Sequence, residues 1–258
     1  MARHCLHYQK SGSGSRTILF FHGFGQKHTL FEEWTCQLKD THTCYNFDLY
    51  YHGRSTRANK PLSKKEWKAR LEVFFESEGI DQFEIVAFSL GGRFALATTM
   101  LFPERVQNLI LIAPDGIWKT IWFRLATHPL INPLFRHIML HPRRFHQLVE
   151  VAEDFSLASH SLIRFAQREL QVKSNRMRVF QSWTYFRPLQ YHPDALVKEF
   201  SQHEIPVHLV LGSKDFIIPE AKVVPLLDNL TTLHTHKLPA KHHELVSRAK
   251  QLIPSLLN

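Results

Sequence analysis

Ser89 is the residue best placed to act as a nucleophile in this chain. It follows the apolar run Ile85-Val86-Ala87-Phe88 and precedes Leu90-Gly91-Gly92, where a helical pattern begins. Ala87 and Gly91 flank it at two residues' distance. That spacing fits a strand–turn–helix elbow of the G-x-S-x-G type, with Ala in the first small position. The serine of such an elbow sits in a strained backbone conformation, so its neighbours must be small. A serine opening a helix is also an ordinary N-cap, so the rest of the chain has to decide. A serine hydroxyl is a weak nucleophile at neutral pH. It needs a base, a third group to orient that base, and N–H donors where a carbonyl oxygen becomes an oxyanion. Asp215 and the adjacent His242 and His243 follow Ser89 in that order. The chemistry of such a set is acyl transfer.

The elements that must position these groups read as alternating strands and helices. Thr17 to Phe21, Cys44 to Asp48, Phe83 to Phe88, Val106 to Ile112 and Val207 to Leu211 are apolar runs of the kind buried in parallel sheets, and Leu233 to Leu238 reads as a last strand. His4 to Gln9 reads as an edge strand. Phe31 to Leu38, Ser63 to about Glu78, Leu90 to Leu101 and Leu245 to Leu257 read as helices, the second with Ser63 and Glu66 in a capping box and Gly79 as its stop. Strands alternating with helices imply a mostly parallel sheet covered on both faces. Such sheets gather functional groups at the carboxyl ends of their strands. His22, Asp48, Ser89, Asp115, Asp215 and the histidine pair all fall there.

Five stretches in this order resemble the α/β-hydrolase fold superfamily, specifically a serine hydrolase or esterase-like member with a helical cap. They are His22-Gly23-Phe24, Asp48 through Ser55, Ala87 through Gly92, Gly212 through Pro219, and the late histidines. Tyr51 stands where the family usually has Gly. The resemblance implies an α/β fold with a mostly parallel central sheet flanked by helices and a helical cap inserted over the active site. It implies Ser89 as nucleophile, Asp215 as acid and a histidine as base, with Asp115, which reads more simply as a turn residue before Gly116, as the reserve acid. The usual ending P-x-x-G-H puts that base at His243, four residues after Pro239, with His242 as the alternative. The oxyanion hole would use the backbone N–H groups of Phe24 and Leu90; the latter follows the nucleophile and opens a helix, where N–H groups are free. His22 reads as a structural hydrogen-bonding residue of its loop, and His52 and Arg54 as loop-shaping. Family members with Asp at the elbow are dehalogenases and epoxide hydrolases, so Ser89 favours ester or thioester cleavage. A carbon–carbon bond hydrolase or lyase using the same triad, and a non-catalytic binding protein, are the alternatives.

The segment 116–203 is too long for a loop and reads as helical, so the expected division is a core of 1–115 and 204–258 with a cap of 116–203. That segment carries 12 Lys or Arg and 6 Asp or Glu, most of the formal net charge of +9. Its Trp118, Trp122, Phe123, Leu125 and Leu130 alternate with Lys119 and Arg124. Either these aromatics pack the cap while the charges face water, or they form a basic, greasy lid for an apolar substrate with an anionic group or for a membrane surface. The packing reading is the simpler. No RNA-binding signature accompanies the charge, so a nucleic-acid partner is not expected. No G-x-G-x-x-G or Walker A sequence occurs, and no cofactor is expected. Cys5, Cys36 and Cys44 have no C-x-x-C spacing, so neither a disulfide framework nor a metal site is indicated. Met1-Ala2-Arg3-His4-Cys5 lacks a signal-peptide h-region and no apolar run approaches bilayer length, which reads as a cytoplasmic protein. Oligomeric state is not legible.

Overall fold

A computed structural model of the protein describes residues 5–57, 59–155, 157 and 160–257. The expectations drawn from Met1 to His4 lie outside these residues. The chain divides into two compact units. The first comprises residues up to 58 together with 62–118 and 188–258, and the second comprises 59–61 and 119–187.

The first unit is built on a seven-stranded sheet: β1 (Tyr8–Ser11), β2 (Arg16–Phe21), β3 (His42–Phe47), β4 (Phe83–Phe88), β5 (Val106–Ile112), β6 (Val207–Gly212) and β7 (Leu233–Leu238). Their spatial order is β1-β3-β2-β4-β5-β6-β7. Only β1 runs antiparallel, against β3; the other pairings are parallel. The middle of the sheet is buried on both faces, so its strands are continuous apolar runs rather than alternating ones. All six residues of β4 are buried. Ala87 sits between Phe21 of β2 and Leu111 of β5. Helices α1 (Glu32–Leu38), α2 (Lys64–Glu78) and α3 (Gly91–Leu101) connect the strands. Helix α2 opens on Ser63, whose hydroxyl accepts from the Glu66 N–H, and ends on Gly79 at φ +64°. Both caps match the sequence pattern. The burial of Trp67, Leu71, Phe74 and Phe75 holds α2 to the sheet.

The second unit is helical: α4 (Ile121–Ala126), α5 (Asn132–Leu140), α6 (Pro142–Asp154), α7 (His160–Glu169) and α8 (Lys173–Tyr185). Its interior contains an aromatic group in which Phe135 stacks on Trp183 and lies near Phe180. Arg176 is also buried there. Its guanidinium donates to the carbonyls of Met139, Leu170 and Gln171, and it lies over the Phe145 ring. A charge can be this deeply buried only because its donors are satisfied, here by carbonyls that α5 and α7 leave free at their ends.

The boundary differs from that expected. Residues 188–203, expected in the insertion, belong to the first unit. They carry α9 (Pro193–Gln202), which packs on α3 and buries Leu196 and Phe200. Pro193 at its first turn and the 196–200 spacing were the available signals. The chain closes through α10 (Glu220–Val223), α11 (Leu245–Ala249) and α12 (Ile253–Leu256), so the terminal helix expected from Leu245, with Pro254 as its candidate break, is two short ones joined by a 3₁₀ turn. Among the described residues no helix is long and apolar enough to cross a membrane. The three cysteines are free thiols, and burial pushes that of Cys44 up to about 12.

Candidate active site

Ser89 leaves β4 at φ +49°, a left-handed conformation that costs a residue with a side chain about 1–3 kcal/mol. The turn is held from both sides. The Ser89 N–H donates to Ile112 O, and the Ser89 carbonyl accepts from the N–H groups of Gly92 and Asp115. The requirement for small neighbours is visible at Gly91, where an added Cβ would lie 2.1 Å from the Phe21 carbonyl oxygen. The elbow is therefore wedged against the end of β2.

Three side chains from three strand ends converge here. Ser89 Oγ lies 3.0 Å from His242 Nε2, and His242 Nδ1 lies 2.7 Å from Asp215 Oδ2. Asp215 is buried, and its other oxygen accepts from the N–H groups of Ile217 and Ile218. That leaves Oδ2 to face the imidazole. The Phe88 ring packs on His242, with centroids 4.9 Å apart. Helix-opening geometry presents the ring: His242 begins a 3₁₀ turn, and the Glu244 carboxylate accepts from the Lys241 N–H before it.

The histidine that meets Ser89 is thus His242, the alternative, and not the favoured His243. His243 is exposed and hydrogen-bonds to neither Ser89 nor Asp215. The reason is the path of the chain after β7. Ala240 N–H turns back to Leu238 O, and the Ala240 carbonyl accepts from Lys214 N–H, so the loop is drawn across the end of β6. It reaches the site three residues after Pro239. Gly212 permits this approach, since a Cβ there would lie 2.4 Å from Ala240 O.

The two expected oxyanion donors, the N–H groups of Phe24 and Leu90, have no hydrogen-bond partner among the described residues. The loop carrying Phe24 is braced by its neighbours. Gly23 N–H donates to Gln26 Oε1, and Gln26 N–H returns to Gly23 O. His22 is buried and uses both ring nitrogens: Nδ1 pairs with Gly23 O, and Nε2 accepts from Leu49 N–H. That pairing puts the proton on Nδ1 and makes His22 a brace rather than a base. His52 packs its ring against His22 and Phe24. Gln26 was not singled out from sequence, although its place three residues after Gly23 is suited to a turn-closing amide.

Asp48 lies under this loop and is fully buried. Oδ1 accepts from the His28 N–H and ring nitrogen, and Oδ2 accepts from the Arg54 N–H. Burial pushes its carboxyl up, but these donors outweigh burial and hold it below the usual carboxylate range. Tyr51, in the position usually given to Gly, adopts φ +67°, the conformation for which glycine is suited. His7, His28 and Asp48 offer ligand atoms within 4.8 Å of one another. Because both carboxylate oxygens already accept backbone or ring donors, the group is a hydrogen-bonded clamp on the 48–55 loop. The reserve acid Asp115 is ion-paired to the buried Arg93 at 2.7 Å, while the imidazole is taken by Asp215.

A family model for the alpha/beta hydrolase fold matches residues 16–246. The chain belongs to the alpha/beta-hydrolase family. An uncharacterised protein of Mycobacterium tuberculosis is 26% identical over 227 residues, covering 82% of this chain and 65% of that protein. The chain thus spans a little under two thirds of the length of its mycobacterial relatives. The (lyso)-N-acylphosphatidylethanolamine lipase of Mus musculus is 34% identical over 103 residues, or 38% of this chain and 30% of the lipase. Among solved structures, the enol-lactonase of Burkholderia xenovorans LB400 superposes with a TM-score of 0.68 at 14% identity, covering 98% of this chain and 96% of that one. At that identity the likeness is one of fold.

Proposed function

We propose that this protein is a serine hydrolase that cleaves a carboxylic ester or thioester through an acyl-enzyme on Ser89. The observation that carries this reading is the continuous Ser89–His242–Asp215 hydrogen-bonded chain. His242 Nε2 takes the Ser89 proton as Oγ attacks the carbonyl carbon. Asp215 keeps the opposite ring nitrogen protonated and stabilises the imidazolium that forms. The carbonyl oxygen becomes an oxyanion facing the N–H groups of Phe24 and Leu90; one such donor is typically worth about 10²–10³ in turnover. Collapse expels the alcohol or thiol, which receives the proton from His242. Water, deprotonated by the same ring, then attacks the acyl-enzyme and regenerates Ser89.

The name of the lipase, 34% identical over 103 residues, supports an ester as the bond class. Labelling by a fluorophosphonate probe tests the reading. The folded protein is expected to be labelled and to hydrolyse p-nitrophenyl esters, and Ser89→Ala to do neither. A folded protein that resists the probe and turns over no ester would overturn it.

A further inference from the structure

The second unit concentrates the chain's positive charge. Residues 119–187 hold 11 Lys or Arg against 4 Asp or Glu, nearly all of the formal +9. Within it the imbalance is sharper still: from Lys119 to Val149 there is no acidic residue, but there are five Lys or Arg and four His. Arg124, Arg136, Arg143 and Arg144 are exposed, and none has a carboxylate partner among the described residues. Exposed arginines on a folded unit ordinarily alternate with acids.

The same stretch exposes large apolar side chains. Leu130 is 85% exposed, Ile121 and Leu134 are 58% exposed, and Leu125 and Ile131 are also in water. Ile121 and Leu125 share one face of α4, four residues apart. Leu130, Ile131 and Leu134 follow at helix-like spacing into the start of α5. Inward positions of the same helices, Phe123, Ala126, Phe135 and Met139, are filled in the ordinary way. The unit therefore has a core and, outside it, a second set of apolar groups among unpaired cations. Phe123 is buried, whereas Leu125 and Leu130 lie in water.

We propose that the surface formed by α4, α5 and the start of α6 docks on an anionic lipid bilayer, with Leu130, Ile131 and Leu134 entering the interface and Arg124, Arg136 and Arg143 meeting lipid phosphates. A bilayer is the partner whose chemistry has both halves, an apolar layer beneath a plane of negative charge. A nucleic acid or an acidic protein would use the arginines and leave the leucines in water. The proposal does not depend on the hydrolase reading, since lipid binding would persist in Ser89→Ala.

The test is co-sedimentation of the full chain with phosphatidylcholine vesicles, with and without phosphatidylserine. Binding is expected only with phosphatidylserine, and it should weaken as salt is added. Each basic residue near such a surface is worth about fivefold in partitioning, so Arg124→Glu/Arg136→Glu/Arg143→Glu should lower it at least about 100-fold. Leu130→Ser/Leu134→Ser keeps every charge and should lower it about tenfold or more. Circular dichroism and fluorophosphonate labelling without lipid check that each variant remains folded. Absence of phosphatidylserine-dependent binding, or binding that the arginine reversals leave unchanged, would overturn the proposal. So would equal capture by heparin with no effect of the leucine changes, which would mark the surface as a general polyanion site.

Discussion

The assignment of the base to His242 can be tested against its immediate neighbour. In His242→Gln both hydrogen bonds of the ring are lost, at 3.0 Å to Ser89 and 2.7 Å to Asp215. Ser89 then has no group to take its proton, and the leaving group has none to supply one. A positioned general base contributes about 10²–10⁴-fold, or about 2.7–5.4 kcal/mol of barrier. The fold should survive, because the Ile217 and Ile218 N–H groups still hold Asp215. His243→Gln removes an exposed ring that touches neither partner, and its kcat/KM should stay within about twofold, or about 0.4 kcal/mol. The assay is ester hydrolysis together with the rate of fluorophosphonate labelling. Thermal melts of both variants exclude unfolding as the cause. A loss of more than tenfold in His243→Gln with activity retained in His242→Gln would refute the reasoning, as would two variants both at wild-type rate.

Acid sensitivity should arise at the far edge of the sheet. His208 pairs in register with His234 on β7 and lies 3.1 Å from the His236 ring nitrogen; burial chiefly, with repulsion from the other two rings, pushes it down to about 4. The unfolded chain therefore binds protons that the folded one refuses between about pH 6.5 and 4, so stability is present above that window and falls as pH drops through it, by at most about 1.4 kcal/mol per pH unit for this group. Urea melts across that range should show the slope, and His208→Gln should flatten it. Gly91→Ala should cost at least about 1–3 kcal/mol and most of the activity, because its Cβ would strike the rigid Phe21 carbonyl; a wild-type melt would contradict the wedged elbow. Arg176→Ala should destabilise the second unit by about 3 kcal/mol, since two buried carbonyls and a part-buried one lose their donor; hydrogen exchange should speed up across α5 to α8 and remain slow in β4 and β5.

What the sequence could and could not specify follows from the range of the forces involved. The parallel strands were legible because burial on both faces demands unbroken apolar runs, and runs such as Ile18 to Phe21 and Leu109 to Ile112 are local. The elbow was legible for the same reason: Ala87, Ser89 and Gly91 lie within five residues, and their steric requirement is written in their sizes. Helix α9 was placed in the insertion because its apolar face is completed by α3, which lies more than ninety residues earlier. Counting from Pro239 misplaced the base because the count assumes a loop of fixed path. Here the path is fixed by Lys214 N–H on Ala240 O and by the missing side chain of Gly212, both about thirty residues upstream. The register of a catalytic loop is a property of the sheet end it crosses, not of its own sequence.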